Sequence, residues 1–131
     1  MKKSLFLFVA LAIGFNANAQ TKYFFSPNGE GSGESWDDAA AAELLGVTLA
    51  EAEVGDEFYL MEGKYAPDGT TNKWNITQGV IIKGGYPTTM TGTNTDIDYT
   101  TAGQSVFSAD LDNDGKGDNK DYAFVYVGLA G

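Results

Sequence analysis

The sequence predicts a mainly β domain wound as a solenoid, and three observations carry that prediction. The best strand candidates centre near Tyr59, Ile81, Phe107 and Val125. Their spacing of roughly twenty residues is wider than the 8–12 of a hairpin-built sandwich. Helical patterning is confined to one short region before the first of these strands, so the long connections carry no helices. Connections of that kind suit coils that each stack a short strand on the one before. The intervening loops differ in length and composition, so this is not a strict sequence repeat.

The chain opens with a separate segment. Lys2 and Lys3 give it a basic start, Leu5 to Phe15 is a mostly apolar run, and Ala17-Asn18-Ala19 follows. Small residues at −3 and −1 before Gln20 form a signal-peptidase site, so residues 1–19 are expected to be a secretory signal peptide. The apolar run is too short for a bilayer span. The expected location is therefore outside the cytoplasm: secreted, on the outer surface or in the periplasm. The chain has no cysteine, which excludes both a disulfide framework and a lipid-anchored cysteine.

Without the signal, six lysines face eighteen acids, a formal net charge of −12, and arginine and histidine are absent. Such a surface repels nucleic acid and anionic lipid, which removes both as expected partners. It also suits a medium rich in divalent cations, although charge kept for solubility gives the same composition.

Along residues 20–131, Lys22-Tyr23-Phe24-Phe25 favours a strand and Ser26-Pro27-Asn28-Gly29 ends it with turn chemistry. Ser35 or Asp37 is placed to cap a helix through Ala39 to Leu45, which Gly46 should break. Thr48 is a candidate cap for a second short turn over Leu49 to Glu53, before Val54-Gly55-Asp56 turns the chain. Glu57 to Met61 is a strand, and Lys64 to Gly69 reads as a turn-rich connection. Trp74-Asn75-Ile76 is a short strand candidate and Val80 to Lys83 a stronger one, closed by Gly84-Gly85. Tyr86 to Gly103 reads as a long irregular loop. Ser105 to Ser108 and Ala123 to Val127 are the last strands, on either side of an acidic loop.

Ser26-Pro27-Asn28-Gly29, Gly33, Ser35-Trp36, Ala39-Ala40, Val54-Gly55-Asp56, Tyr59-Leu60, Gly63-Lys64-Tyr65 and Ile81-Ile82-Lys83-Gly84-Gly85-Tyr86 follow one another in an order that resembles a known pattern. It is that of the N-terminal portion of secreted right-handed parallel β-helix proteins. These form the broad pectin-lyase-like class, which includes polymorphic outer-membrane-protein-like surface proteins. The resemblance runs from about Tyr23 to Val127 and implies the start of a right-handed parallel β-helix with a short N-terminal capping helix. A cap is needed because an open solenoid end presents unpaired strand edges. Proteins of this class continue for many more coils, whereas this chain stops at Gly128 to Gly131 after a strand. The expectation is a fragment, or a short member whose last edge a partner covers.

The acidic loop Asp110 to Asp121 carries the sharpest chemical signal. Asp110, Asp112, Asp114, Asp118 and Asp121 stand at loop positions 1, 3, 5, 9 and 12, with Gly115 at position 6. This is the oxygen-ligand spacing of an EF-hand-type calcium loop. The flanks favour strands over helices, and Asp121 reaches less far than the usual bidentate glutamate. The loop is thus either a structural calcium site with affinity of about 10⁻⁴–10⁻³ M or a solvated Asp/Asn/Gly turn.

The expected function is a non-catalytic scaffold or adhesive region whose partners are carbohydrate or another surface protein. The alternative is the N-terminal part of a carbohydrate-active β-helix enzyme such as a polysaccharide lyase. Lys22, Lys64, Lys73, Lys83, Lys116 and Lys120 are the cations such an enzyme would draw on, and none forms a recognisable constellation with paired carboxylates. Trp36, Trp74, Tyr65 and Tyr86 are candidate sugar platforms, with burial as their commoner fate.

Overall fold

The computed structural model describes residues 19–67, 73–98, 100–108 and 124–127. Its strands are β1 (Lys22–Ser26), β2 (Ala40–Ala41), β3 (Glu57–Met61), β4 (Gly63–Tyr65), β5 (Lys73–Ile76), β6 (Ile81–Tyr86), β7 (Ser105–Phe107) and β8 (Phe124–Val127). One short helix, α1 (Leu45–Glu51), follows a 3-10 turn over Ala42–Leu44. The described chain is mainly β, and every strand pairing is parallel. One sheet has the order β2-β1-β3-β6, and two smaller sheets pair β4 with β7 and β5 with β8. Two successive runs of three strands therefore pair one to one in the same order. Their registers start at Glu57↔Ile81, Gly63↔Ser105 and Lys73↔Phe124.

Alternation along the strands gives the four-stranded sheet two covered faces. Phe25, Phe58 and Leu60 point into one core with Leu45, Leu49, Tyr65 and Trp74. Phe24, Tyr59 and Met61 point to the other face, where they meet Trp36 and Tyr86. A sheet of parallel strands is expected to be covered on both sides, and that is why its strands read as continuous apolar runs. Rings add specific geometry to this burial: Phe24 stacks on Tyr59 with centroids 5.3 Å apart, and Tyr59 meets Tyr86 edge-on at 5.7 Å.

One extra residue in β6 keeps the second face apolar. The register runs Tyr59↔Lys83 but Met61↔Tyr86, so a bulge falls at Gly84-Gly85. Without it, Tyr86 would share the parity of Ile82 and turn into the first core. Gly85 takes the positive φ of +85° that the bulge needs. Its N–H is held by Ser105 Oγ at 2.8 Å, and the same hydroxyl lies 2.8 Å from the Met61 carbonyl.

The helical region departs from expectation. Ala40–Ala41 form a strand instead of a helix, because they pair with Phe25 and Ser26 at the sheet edge. The helix starts at Leu45 and includes Gly46, the expected breaker. Thr48 caps nothing; its hydroxyl donates back to the Leu44 carbonyl at 2.8 Å within the helix. A helix this short is held by packing, not propensity, and it buries Leu45 and Leu49 one turn apart. Lys64 and Tyr65, expected to open a turn-rich connection, belong instead to strand Gly63–Tyr65, anchored by the buried Tyr65 ring. The Tyr65 hydroxyl sits 2.9 Å from the Met61 carbonyl and 3.1 Å from that of Phe25.

Candidate functional site

An open groove with polar walls lies where the 27–39 loop folds back on β1. The loop is shaped by its own backbone: Gly29 N–H donates to Ser26 O at 3.1 Å, Gly31 N–H to Ala39 O at 2.9 Å and Gly33 N–H to Asp38 O at 2.7 Å. These contacts leave an open groove of about 410 Å³ beside Asn28, Glu30, Trp36, Asp37, Asp38 and Met61. Its volume is within the ~300–1,000 Å³ range of ligand pockets, but those are enclosed and mostly apolar.

Two of the three groove carboxylates already hold backbone. Asp37 Oδ2 accepts the Gly92 N–H at 2.8 Å, which ties this loop to the 87–98 segment. Asp38 accepts the Ser32 hydroxyl and, at 2.9 Å, the Ser32 N–H. The hydroxyl bond, then the amide bond, holds the Asp38 carboxyl below the ordinary aspartate range. Asp38 therefore stays ionised and engaged, which suits loop fastening and not proton transfer.

The sugar-platform residues are all covered. Trp36, Tyr65, Trp74 and Tyr86 are buried. Trp36 packs edge-on against Phe24 at 4.9 Å, and its Nε1–H donates to Asn94 O at 2.7 Å. Trp74 meets Phe107 at 4.9 Å beside an apolar cavity of about 60 Å³, lined also by Leu49, Ile76 and Ile82. A cavity this small lies well below the ~150 Å³ that admits a benzene-sized guest.

Comparison of the chain with protein-family models, curated proteins and solved structures found no match. The chemistry must therefore be read from the residues alone.

Two of the expected cations do converge, and sequence reasoning gave no sign of it. Lys22 Nζ lies 5.8 Å and Lys83 Nζ 5.3 Å from the Tyr59 ring centroid. The register explains this: Lys83 is the partner of Tyr59 across β3 and β6, and Lys22 lies diagonally across from it on β1. The Tyr59 hydroxyl donates to the Glu57 carboxylate two residues away on the same face. A tyrosine that removes protons needs its pKa lowered. Tyr59 is pushed the other way, to about 12, first by desolvation and then by the bond to Glu57. The cluster is a packed, neutral phenol between two cations.

The expected calcium ligands Asp110, Asp112, Asp114, Asp118 and Asp121 lie outside the described residues, in the sequence that joins β7 to β8. The expected signal peptide, apart from Ala19, lies outside them too. Among the described residues, no group of three or more acidic side chains is placed to hold a metal ion, and no helix is long and apolar enough to cross a membrane.

Proposed function

We propose that this chain forms the N-terminal cap and first coils of a right-handed parallel β-helix that serves, after export, as a non-catalytic scaffold or adhesive surface. One observation carries the reading. The strands β3-β4-β5 pair in parallel, and in the same order, with β6-β7-β8. Such one-to-one pairing is what stacked three-strand coils require. On this reading β1, β2 and α1 are the cap, with Leu45 and Leu49 closing over the core. The state of the polar groups supports a scaffold. The groove carboxylates Asp37 and Asp38 fasten backbone, and the phenol beside Lys22 and Lys83 is poorly suited to abstract a proton.

A cross-link tests the coil pairing. Lys64 and Val106 are register partners in β4 and β7, and both are exposed. Neighbouring strands lie about 4.7–4.9 Å apart, inside the Cα separation a disulfide spans. With no native cysteine to compete, Lys64→Cys/Val106→Cys should oxidise to a single intramolecular bridge. Failure to bridge under oxidising conditions overturns the stacked-coil reading. The non-catalytic part is tested separately, since cleavage of acidic polysaccharides by the purified chain would overturn it.

Calcium on the Asp110 to Asp121 loop completes the proposal as a structural fastening between β7 and β8. Five carboxylates converging on one cation would offset their mutual repulsion. Titration calorimetry at millimolar calcium should give heat and a raised melting temperature; neither appearing would sink this part.

A further inference from the structure

We infer that Gln20 is a modification site, at which the α-amine freed by signal removal closes on the residue's own side-chain amide to leave an N-terminal pyroglutamate lactam. The inference rests on the exported reading above. Ala17-Asn18-Ala19 ends directly before Gln20, so cleavage there makes glutamine the first residue. Glutamine is suited to this chemistry because its Cδ lies within five-membered-ring distance of its own amine.

Among the described residues, this one stands outside the hydrogen-bonded frame. Backbone fastening begins one position later. Thr21 N–H donates to the buried Asp56 Oδ1 at 2.9 Å, and Thr21 O accepts Glu57 N–H at 2.9 Å. Ala19 and Gln20 are both exposed, which leaves the bond between them open to a peptidase. The Gln20 side chain lies over Gly55, whose φ is +91°. A Cβ built there would come 3.0 Å from Gln20 Nε2 and 3.2 Å from its Cγ, so the glycine makes room for this side chain.

The step balances without a second substrate. The neutral α-amine attacks Cδ, the N–Cδ bond forms, the Cδ–Nε2 bond breaks, and Nε2 leaves with the amine proton as ammonia. A free α-amine titrates near about 7.7–8.0, so a reactive neutral fraction exists at neutral pH. Because attack is intramolecular, no encounter with a second molecule limits it. The product has lost one positive charge and presents no free amine to an exopeptidase.

The test secretes the full chain from a bacterial host, ages the exported protein at neutral pH and reads its intact mass and N-terminal fragments. The expected product begins at residue 20, is lighter by one ammonia and resists amine-reactive labelling. Gln20→Ala should be cut at the same bond and keep a labelled amine. A product beginning at residue 20 with full mass and a reactive amine overturns the modification while leaving export intact. A product beginning at any other residue overturns the cleavage reading, and the modification with it.

Discussion

Replacing Ser105 with alanine removes the hydroxyl that holds the β6 bulge. In the native chain that oxygen accepts the Gly85 N–H at 2.8 Å and lies 2.8 Å from Met61 O and 3.1 Å from Leu60 O. Gly85 is buried, so alanine leaves its N–H with neither protein nor bulk water as a partner. An orphaned buried donor costs about 1–3 kcal/mol. The carbonyls add little to this, because one hydroxyl proton serves both. The volume change is a single oxygen, so no cavity term enters. For a domain of this size, about 2 kcal/mol lowers Tm by roughly 8 °C. Both tryptophans, Trp36 and Trp74, are buried, so their emission reports unfolding in urea or on heating. Thr89→Ala, an exposed hydroxyl deletion, should stay within about 0.5 kcal/mol of the parent. If Ser105→Ala matches Thr89→Ala in urea midpoint and melting temperature, the hydroxyl does not hold the bulge and the reasoning fails.

Three further outcomes follow from the same geometry. Gly63→Ala should destabilise by roughly 2–5 kcal/mol from combined backbone strain and overpacking, since φ there is +133° and a Cβ would lie 2.4 Å from Pro27 Cγ. Adding Pro27→Ala should recover only the contact part, as a double-mutant cycle in urea will read. Gly46→Ala should instead stabilise by about 0.5 kcal/mol, because the new methyl would meet Trp74 Cδ1 at an ordinary 3.5 Å; a loss in Tm would show that the site has no room. Tyr59 should confer alkaline lability. Its folded pKa is raised from 10.0 to about 12, so its contribution is complete below pH 10.0 and is lost as pH climbs toward 12. Tyr59→Phe should flatten the fall in stability across that window, measured by urea midpoints at successive pH values.

Strand positions were legible because aromatic runs such as Lys22 to Phe25 and Glu57 to Met61 carry their own signal, bounded by Pro, Asn and Gly. The long loop expected from Tyr86 to Gly103 was legible from its Thr, Asn and Gly content except at Tyr86, which ends β6; the described parts of 87–103 hold no strand. The helix was displaced because propensity favours Ala39 to Leu45 locally, while Phe25 and Ser26 offered Ala40 and Ala41 a sheet edge. No local pattern encodes that offer. The bulge was equally hidden: Gly84-Gly85 reads as a strand end, and only the pairing with Met61 shows the strand continuing through it. Asp56 looked like a turn residue. Its bond to the Glu53 amide at 2.9 Å is local, but its bond to the Thr21 amide, also 2.9 Å, depends on a chain segment 35 residues away. The meeting of Lys22 and Lys83 over Tyr59 is likewise a product of register, which sequence spacing alone does not give.

The one-to-one strand pairing also sets a timetable for folding. Partners are separated by 24 residues at Glu57↔Ile81, 42 at Gly63↔Ser105 and 51 at Lys73↔Phe124. No hairpin among them can form early and template the rest, so the rate-limiting barrier must be crossed with distant segments already gathered. Closing the longest of these loops costs only about 0.7 kcal/mol more than closing the shortest. Entropy therefore imposes a weak order on the three sheets, and side-chain burial must choose. Phe58 and Leu60, which are buried and flanked by strands on both sides, make β3 the natural organising point. A chain of this kind emerges from synthesis with its strand edges open until the second run of strands arrives. Slow closure and a need for protection in that interval are the kinetic counterpart of its parallel architecture.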